Sequence, residues 1–579
     1  MQRSVMAVLA VLFAALNVAP ALSQSSYDKA REYLAVRDFL SAAPHLVAAA
    51  KESPKNKEIL TLTGDAFVEL EKADSALIYY KRALNVDDED LFLMRKTART
   101  YALLSQFEEA HELMEDAFDI NKEDVYNYLT RGEIYIMQDS LTLADHAIRK
   151  AQSIDDEIPD TYVALGDLYY AQKVYQLAKT NYEEAIARDT TLLQPRIKLA
   201  RAYWALAGKA GDRQASNDLL KKSLIQWDIV TKQDTNNAPA FWEKGRILYL
   251  AQQYSPAARA LLRYTVLRPD RPLAYWWLGR SFYEVQAIDS AIIYLELARQ
   301  KVDTIADQAS LMLARTYYLG KRFEDAAAQF GELQGKVDFE VKDYERFGRS
   351  AILSGDTITA IKYLREALDK EPDCKLQLMF GNVLRSGNQY DEAIDAFHKV
   401  FEVCDTLVDA DRARVYFYIG ISNFSRGSLD SAATALAESV RLDSSNSFAL
   451  QRLAFTYREM DSTDKAMEAF RATIGVLKRE IEAAGDEAEK SRLFKQVDGT
   501  YVGLAGIIFG TKDFNELIRV CREWTAFNDK SEYGYLYHAI AEQSLQNTES
   551  ACKLYGKVLA INPSNKSARQ NYDALGCSN

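Results

Sequence analysis

A spacing of 34 residues recurs through nearly all of this 579-residue chain, and it limits the fold more than any other feature. Leu60, Thr63, Gly64 and Phe67, then Ala76, Tyr80 and Ala83, are echoed 34 residues on by Met94, Thr97, Ala98, Tyr101, Ala110, Met114 and Ala117. Further echoes are Tyr128, Gly132, Tyr135, Ala144, Ile148 and Ala151, then Tyr162, Leu165, Gly166, Tyr169, Ala178, Tyr182 and Ala185. A period of this length marks stacked supersecondary units. Glycine (25) and proline (11) are scarce while tyrosine (34) is abundant, which points to helices joined by short turns and away from a many-stranded fold. With 48% hydrophobic and 27% charged residues, wholesale disorder and collagen-like structure are excluded. A net charge of -12 makes nucleic acid a poor partner, because phosphate binding needs local positive charge.

The pattern resembles the tetratricopeptide repeat, a helix–turn–helix unit with a small residue at position 8, an aromatic at 11 and alanines at 20 and 27. Fifteen units can be placed, with position 8 at Ala30, Gly64, Ala98, Gly132, Gly166, Ala200, Gly245, Gly279, Ala314, Gly348, Gly381, Gly420, Ala454, Ala505 and Ala539. Position 20 is an independent check: it is alanine in every unit except two, which carry Ser223 and Leu517. Small residues at 8 and 20 let two antiparallel helices approach, and an apolar residue at 24 fills the space beside them. One hairpin cannot bury its own apolar face, so neighbours bury it for each other and the array needs a polar cap. The expected fold is an all-α solenoid, by resemblance a right-handed superhelix, capped by a helix over Asn565 to Leu575. Pro54, Pro269, Pro372 and Pro563 should stop second helices.

Departures from the period suggest boundaries. Repeats over 24–205 are followed by an insertion at 206–217, read as a lengthened inter-helix loop around Gly208 to Asp212. Central repeats follow over 218–483. Residues 484–500 read as a charged linker or helix extension, either a hinge or a plain elaboration. The pattern restarts with poor matches (Leu517, Cys521, Trp524) in a last segment, 501–579. At the start, Arg3, the apolar run Val5 to Leu16 and small residues up to Ser23 read as a signal peptide, 1–23, or else an uncleaved anchor. Export to the periplasm, cell surface or exterior is the expectation.

The resemblance implies that first helices line a concave, partner-binding face through positions 2, 5, 9, 12 and 13. Position 9 reads Arg201, Arg246, Arg280, Arg315 and Arg349 in five consecutive repeats. Position 12 gives Trp204, Tyr249, Tyr283 and Tyr318, and position 5 adds Trp242 and Trp276. Such a stripe suits a protein or peptide with carboxylates and apolar anchors. The competing reading pairs each arginine with an acid of the adjacent repeat and packs the aromatics between helices. Five dispersed histidines and five cysteines without Cys-x-x-Cys suggest no metal site, no cofactor and no catalytic constellation. Bridges Cys374–Cys404 and Cys521–Cys552, with Cys577 left over, suit an exported protein; buried or free thiols are the alternative. Asn423-Phe424-Ser425 matches a glycosylation sequon but falls inside an expected helix. The function expected is a non-catalytic binding scaffold of the cell envelope. The alternative is a structural or secretion component at the outer membrane or surface.

Overall fold

The computed structural model describes residues 25–577, so the signal-peptide reading lies outside the described residues. Among these residues every regular element is helical: 31 α-helices and one short 3-10 turn. That is two helices for each of fifteen repeats plus the cap. The chain divides into two compact units, Met1–Leu319 and Gly320–Asn579. In each, helices pack on their chain neighbours. First helices also pack on first helices of the next repeat, as Leu91–Leu103 does on Val125–Met137.

The residue types explain the hairpins. A Cβ placed on any of the eight position-8 glycines would meet the position-24 side chain of the same repeat. It would strike the rings of Tyr80 and Tyr182 at Gly64 and Gly166, and would lie 2.5–2.8 Å from the partner at Gly132, Gly245, Gly279, Gly348, Gly381 and Gly420. The helix pair is therefore as close as the missing methyl allows. Alanines at position 20, such as Ala42, Ala76, Ala110 and Ala144, are wholly buried. The two exceptions keep the register. Ser223 is wholly buried and its Oγ donates to the Ala200 carbonyl at 2.8 Å. Leu517 and Trp524 are fully buried around the smaller Cys521, so bulk moves from position 24 to positions 20 and 27. Trp524 stacks on Tyr501 at 5.1 Å and its Nε1 donates to Asp498 at 2.5 Å.

The turns recur as closely as the core. Twelve repeats place a non-glycine residue at positive φ between their helices, among them Arg37, Glu71, Lys173, Gln252 and Gln286. Two more use Gly355 and Gly427. The following amide then reaches back to an early carbonyl, as Lys72 N does to Phe67 O at 2.8 Å and Ser140 N to Tyr135 O at 2.8 Å. This left-handed cap satisfies helix-end carbonyls that would otherwise be orphaned. Between repeats, Asn56, Asp90, Asp124, Asn237, Asp373, Asn446 and Ser531 cap the next first helix by accepting a backbone N–H. The helices before Pro54, Pro269, Pro372 and Pro563 end at Glu52, Leu267, Lys370 and Ile561.

Three expectations change. The insertion near 206–217 is only a short connection; most of its extra length extends the second helix, which runs Arg213–Gln233 with Asp212 as its cap. Helix-forming residues after Asp212 add turns to an existing helix at little cost. Of the two readings of residues 484–500, linker or helix extension, the structure shows helix beyond a three-residue turn. The helix Thr463–Ala483 stops, three residues turn, and Glu487–Thr511 begins as one 25-residue helix. Its outer part is anchored by the buried Leu493 and Val497. The boundary between the compact units falls in the ninth repeat instead. Finally, Cys552 is joined to Cys577, not to Cys521, which is a buried free thiol. The capping helix Lys566–Ala574 folds back on the last repeat and carries Cys577 to Cys552, while Cys521 points into its own hairpin core with Leu517 and Trp524. Cys374 and Cys404 are bridged across the eleventh hairpin, Cα–Cα 5.4 Å. The sequon residue Asn423 is buried in a helix and donates to Ile419 O at 3.0 Å.

Candidate functional site

The first helices of the N-terminal unit line a chain of open cavities. One, about 610 Å³, is bounded by Asp65, Lys96, Arg99, Leu103, Glu133 and Met137. The next, about 360 Å³, continues along Tyr126, Val163, Asp167 and Lys198. A third, about 540 Å³, lies between Arg37, Phe39 and Glu69 of the first two repeats and Ile197, Arg201 and Asp234 of the sixth. The inner face of this unit curls far enough to meet itself. Arg37 pairs with Asp234 at 3.5 Å, and Arg271 pairs with Glu71, 200 residues apart in sequence.

Charges on this face are arranged by repeat. Tyr80 Oη donates to Asp65 at 2.5 Å, and Lys96 of the following repeat donates to the same carboxylate at 2.6 Å. Tyr182, Asp167 and Lys198 repeat that arrangement, with Tyr182 Oη donating to Asp167 at 2.8 Å. Burial pushes the Asp167 carboxyl up, against the pull of Lys198 and Tyr182. Burial and the neighbouring carboxylates push both tyrosines well above their ordinary value. Arg99 bridges to Glu133, position 9 to position 9, at 2.5 Å. The tyrosine–aspartate–lysine groups were not anticipated from the sequence, whereas the Arg99–Glu133 pair is of the kind the competing reading expected. The signal was present in Gly-Asp at positions 8 and 9, tyrosine at 24 and lysine at 6 of the next repeat.

The arginine stripe is resolved residue by residue. Arg201 is exposed and makes no ion pair among the described residues; Trp204 beside it is 37% exposed. Arg246 lies over the rings of Trp242 and Trp277 at 5.6 and 5.9 Å and pairs with Glu243 of its own helix at 3.4 Å. Arg280 sits among Tyr249, Trp276 and Trp277 at 4.8, 5.2 and 5.4 Å. Tyr249 is not available to a partner: it is buried, edge-on to Tyr254 and Trp277. Trp276 and Tyr283 pack on Ala291, Leu295 and Leu313, and Trp242 packs near Ala258 and Leu261 and against Tyr264 at 5.1 Å. Trp242, Tyr249, Trp276 and Tyr283 therefore do inter-helix work, whereas Trp204 stays exposed. Arg315 and Tyr318 are half-buried on the helix Ala306–Leu319, the last of this unit. Arg349 belongs to the C-terminal unit and pairs with Glu345 at 2.7 Å. Trp277, at position 6 and unremarked in the sequence, is the ring that both Arg246 and Arg280 share.

Among the described residues, no cluster of three or more His, Cys, Asp or Glu could hold a metal ion, and no helix is long and apolar enough to cross a membrane.

No curated protein matches. Among solved structures, Naa15/Naa10 bound to HypK-THB is 11% identical, with 95% of both chains covered and a TM-score of 0.31. A tetratricopeptide repeat protein from Parabacteroides merdae ATCC 43184 is 17% identical over 44% of this chain and 97% of its own, TM-score 0.30. The APC/C hetero-tetramer Cut9-Hcn1 is 12% identical over 90% and 96%, TM-score 0.26. Tetratricopeptide-repeat family models match residues 27–90, 159–191, 243–304 and 378–447. The family-model matches show that the chain carries tetratricopeptide repeats over those residues, and the same helical hairpins recur through the segments between them.

Proposed function

We propose that this protein is a non-catalytic scaffold that binds a protein or peptide partner on the first-helix face of its N-terminal unit. The observation that carries this reading is the make-up of that face. Exposed apolar side chains (Phe92, Leu103, Tyr126, Met137) stand beside fixed charges along successive cavities. Exposed apolar side chains interleaved with arginine and tyrosine are the composition of a protein contact surface. Rigid first helices would present it with little rearrangement.

We further propose an oxidising location, the bacterial periplasm or cell surface. The apolar N-terminal run supports it, and so do two disulfides, which persist in exported proteins and are rare in the cytosol.

Photo-crosslinking tests the surface. A benzophenone residue replacing Leu103 or Trp204 is expected to trap a defined partner in cells. The same probe at Ile293, exposed on the second helix Ile288–Lys301, is expected to trap none. Equal capture from Ile293, or none from the two inner sites, refutes the reading. Fractionation of the same cells tests location: recovery in the cytosol with free thiols at Cys374 and Cys404 refutes export.

A further inference from the structure

We infer that two ion pairs clasp the N-terminal unit into a closed turn and gate access to its first-helix face, an inference that rests on that face being the partner surface. The pairs join residues far apart in sequence. Arg37 meets Asp234 at 3.5 Å, and Arg271 donates to Glu71. Arg37 and Glu71 occupy the left-handed turns of the first and second hairpins. Asp234 and Arg271 lie in the connections before the helices Ala238–Leu250 and Leu273–Glu284. One step along the array on one side of the seam therefore matches one step on the other, as it must where a solenoid completes a turn. The polarity alternates: the first hairpin offers a cation to an anion, the second an anion to a cation. A slip by one repeat would set Arg37 against Arg271, so the charges fix the register by repulsion as well as attraction.

The clasp is anchored on one side and soft across the gap. The buried Arg268 donates to Asp270 through two bonds of 2.9 Å, and Asp270 lies 3.7 Å from Arg271, which sets that guanidinium at the edge of the seam. Across the gap, closure rests on side chains still in contact with water: Arg37 is 44% exposed, Arg271 43% and Glu71 67%. The apolar clusters on the two sides stay separate. Phe39 packs with Ala42 and Leu46, while Leu193 and Ile197 pack with Trp227 and Val230. A cavity of about 540 Å³ lies between them. Exposed pairs hold weakly and are screened by salt, so the closed and open turns lie close in free energy. Arg37 borders both this cavity and the one beside Leu103, so releasing the clasp widens the way to the inner face.

The test uses the whole chain and needs no partner. Four of the five cysteines are bridged and Cys521 is buried, so nitroxide labels go to introduced cysteines. They replace the exposed Lys72 and Lys232, one on each side of the seam, and their separation is read by double electron–electron resonance. Arg37→Glu/Arg271→Glu is expected to lower the ratio of short to long separations about tenfold. Raising salt from about 0.1 to 1 M, which shortens the screening length from about 10 to 3 Å, is expected to act in the same direction. Arg271→Glu alone should lose part of the short separation, and adding Glu71→Arg, which rebuilds the pair with its polarity exchanged, should recover it. Labels at Lys72 and Glu108, which do not span the seam, should keep their separation throughout, and this excludes unfolding.

The gate is read by a polymer-linked maleimide. Leu103→Cys should react severalfold faster when the clasp is reversed, while Ile293→Cys, exposed on a second helix, should not change. Separations unmoved by charge reversal and salt, or no recovery in the exchanged pair, overturn the clasp. Equal reaction at Leu103→Cys with and without the clasp overturns the gate. Crosslinking at Leu103 and Trp204 tests the partner surface independently, so its failure is distinguishable from failure of the clasp.

Discussion

The packing of glycine at position 8 makes a sharp prediction, because the same substitution should bring no gain or a loss at one place in the C-terminal unit and a gain at another. At Gly348 a Cβ would lie 2.6 Å from Leu364 Cδ2, 2.7 Å from Cγ and 3.2 Å from the Leu364 backbone nitrogen. Ordinary carbon contacts need about 3.5–4.0 Å. Rotating the Leu364 terminal methyls does not relieve a clash at Cγ, and the nearby backbone nitrogen cannot rotate away. The helices Val341–Leu353 and Thr357–Lys370 must separate instead. Overpacking of this kind costs about 1–3 kcal/mol, and alanine's helix preference over glycine returns about 1 kcal/mol. Gly348→Ala should therefore be neutral to destabilising by about 2 kcal/mol. At Gly506, inside the helix Glu487–Thr511, a Cβ meets nothing within 4 Å. There only the helix preference acts, and Gly506→Ala should stabilise by up to about 1 kcal/mol. A repeat array unfolds in parts, so the assay is hydrogen exchange resolved to each helix, with urea melts in support. Leu364→Ala supplies the internal check. Alone it costs about 2–5 kcal/mol, but combined with Gly348→Ala the losses should not add, because the methyl enters vacated space. Stabilisation at Gly348 equal to that at Gly506, or strictly additive losses with Leu364→Ala, would refute the close-approach argument.

Other expectations follow from particular residues. Gln252 sits at φ 59, where a left-handed conformation costs an L-residue about 1–2 kcal/mol; Gln252→Gly should stabilise its repeat by about 0.5–1 kcal/mol after glycine's entropic cost, read by urea midpoint. Cys552→Ser/Cys577→Ser should release the nine-residue cap helix Lys566–Ala574, too short to hold alone, and hydrogen exchange there should quicken while Gly320–Leu442 is unaffected. Burial pushes the Cys521 thiol up to about 12, so it should resist iodoacetamide at pH 8 in the folded protein and react once unfolded. Burial holds the His538 imidazole below its ordinary value, with Arg522 and Lys557 acting in the same sense and Glu542 opposing. The neutral form is favoured in the fold, so stability should be full above about pH 6.5 and fall as pH drops toward the lowered value; His538→Gln should flatten that slope in urea melts.

The sequence alone determined the hairpin register. Small residues at positions 8 and 20, an apolar residue at 24 and prolines at repeat ends are local demands of two helices in contact, so each repeat states them again. It also suggested the bridge Cys374–Cys404, with free thiols as the alternative, because both cysteines lie in one hairpin. Tertiary structure decided whatever depended on distance across repeats. The curl that brings Arg37 to Asp234 and Arg271 to Glu71 accumulates from small rotations at each repeat interface, which no single repeat encodes. The choice of Cys577 over Cys521 for Cys552 depended on the cap folding back, and the burial of Tyr249 on its neighbour's Trp277. Which arginines remain unbalanced was settled the same way: a carboxylate either does or does not arrive from the adjoining repeat, and only the stacked array fixes that.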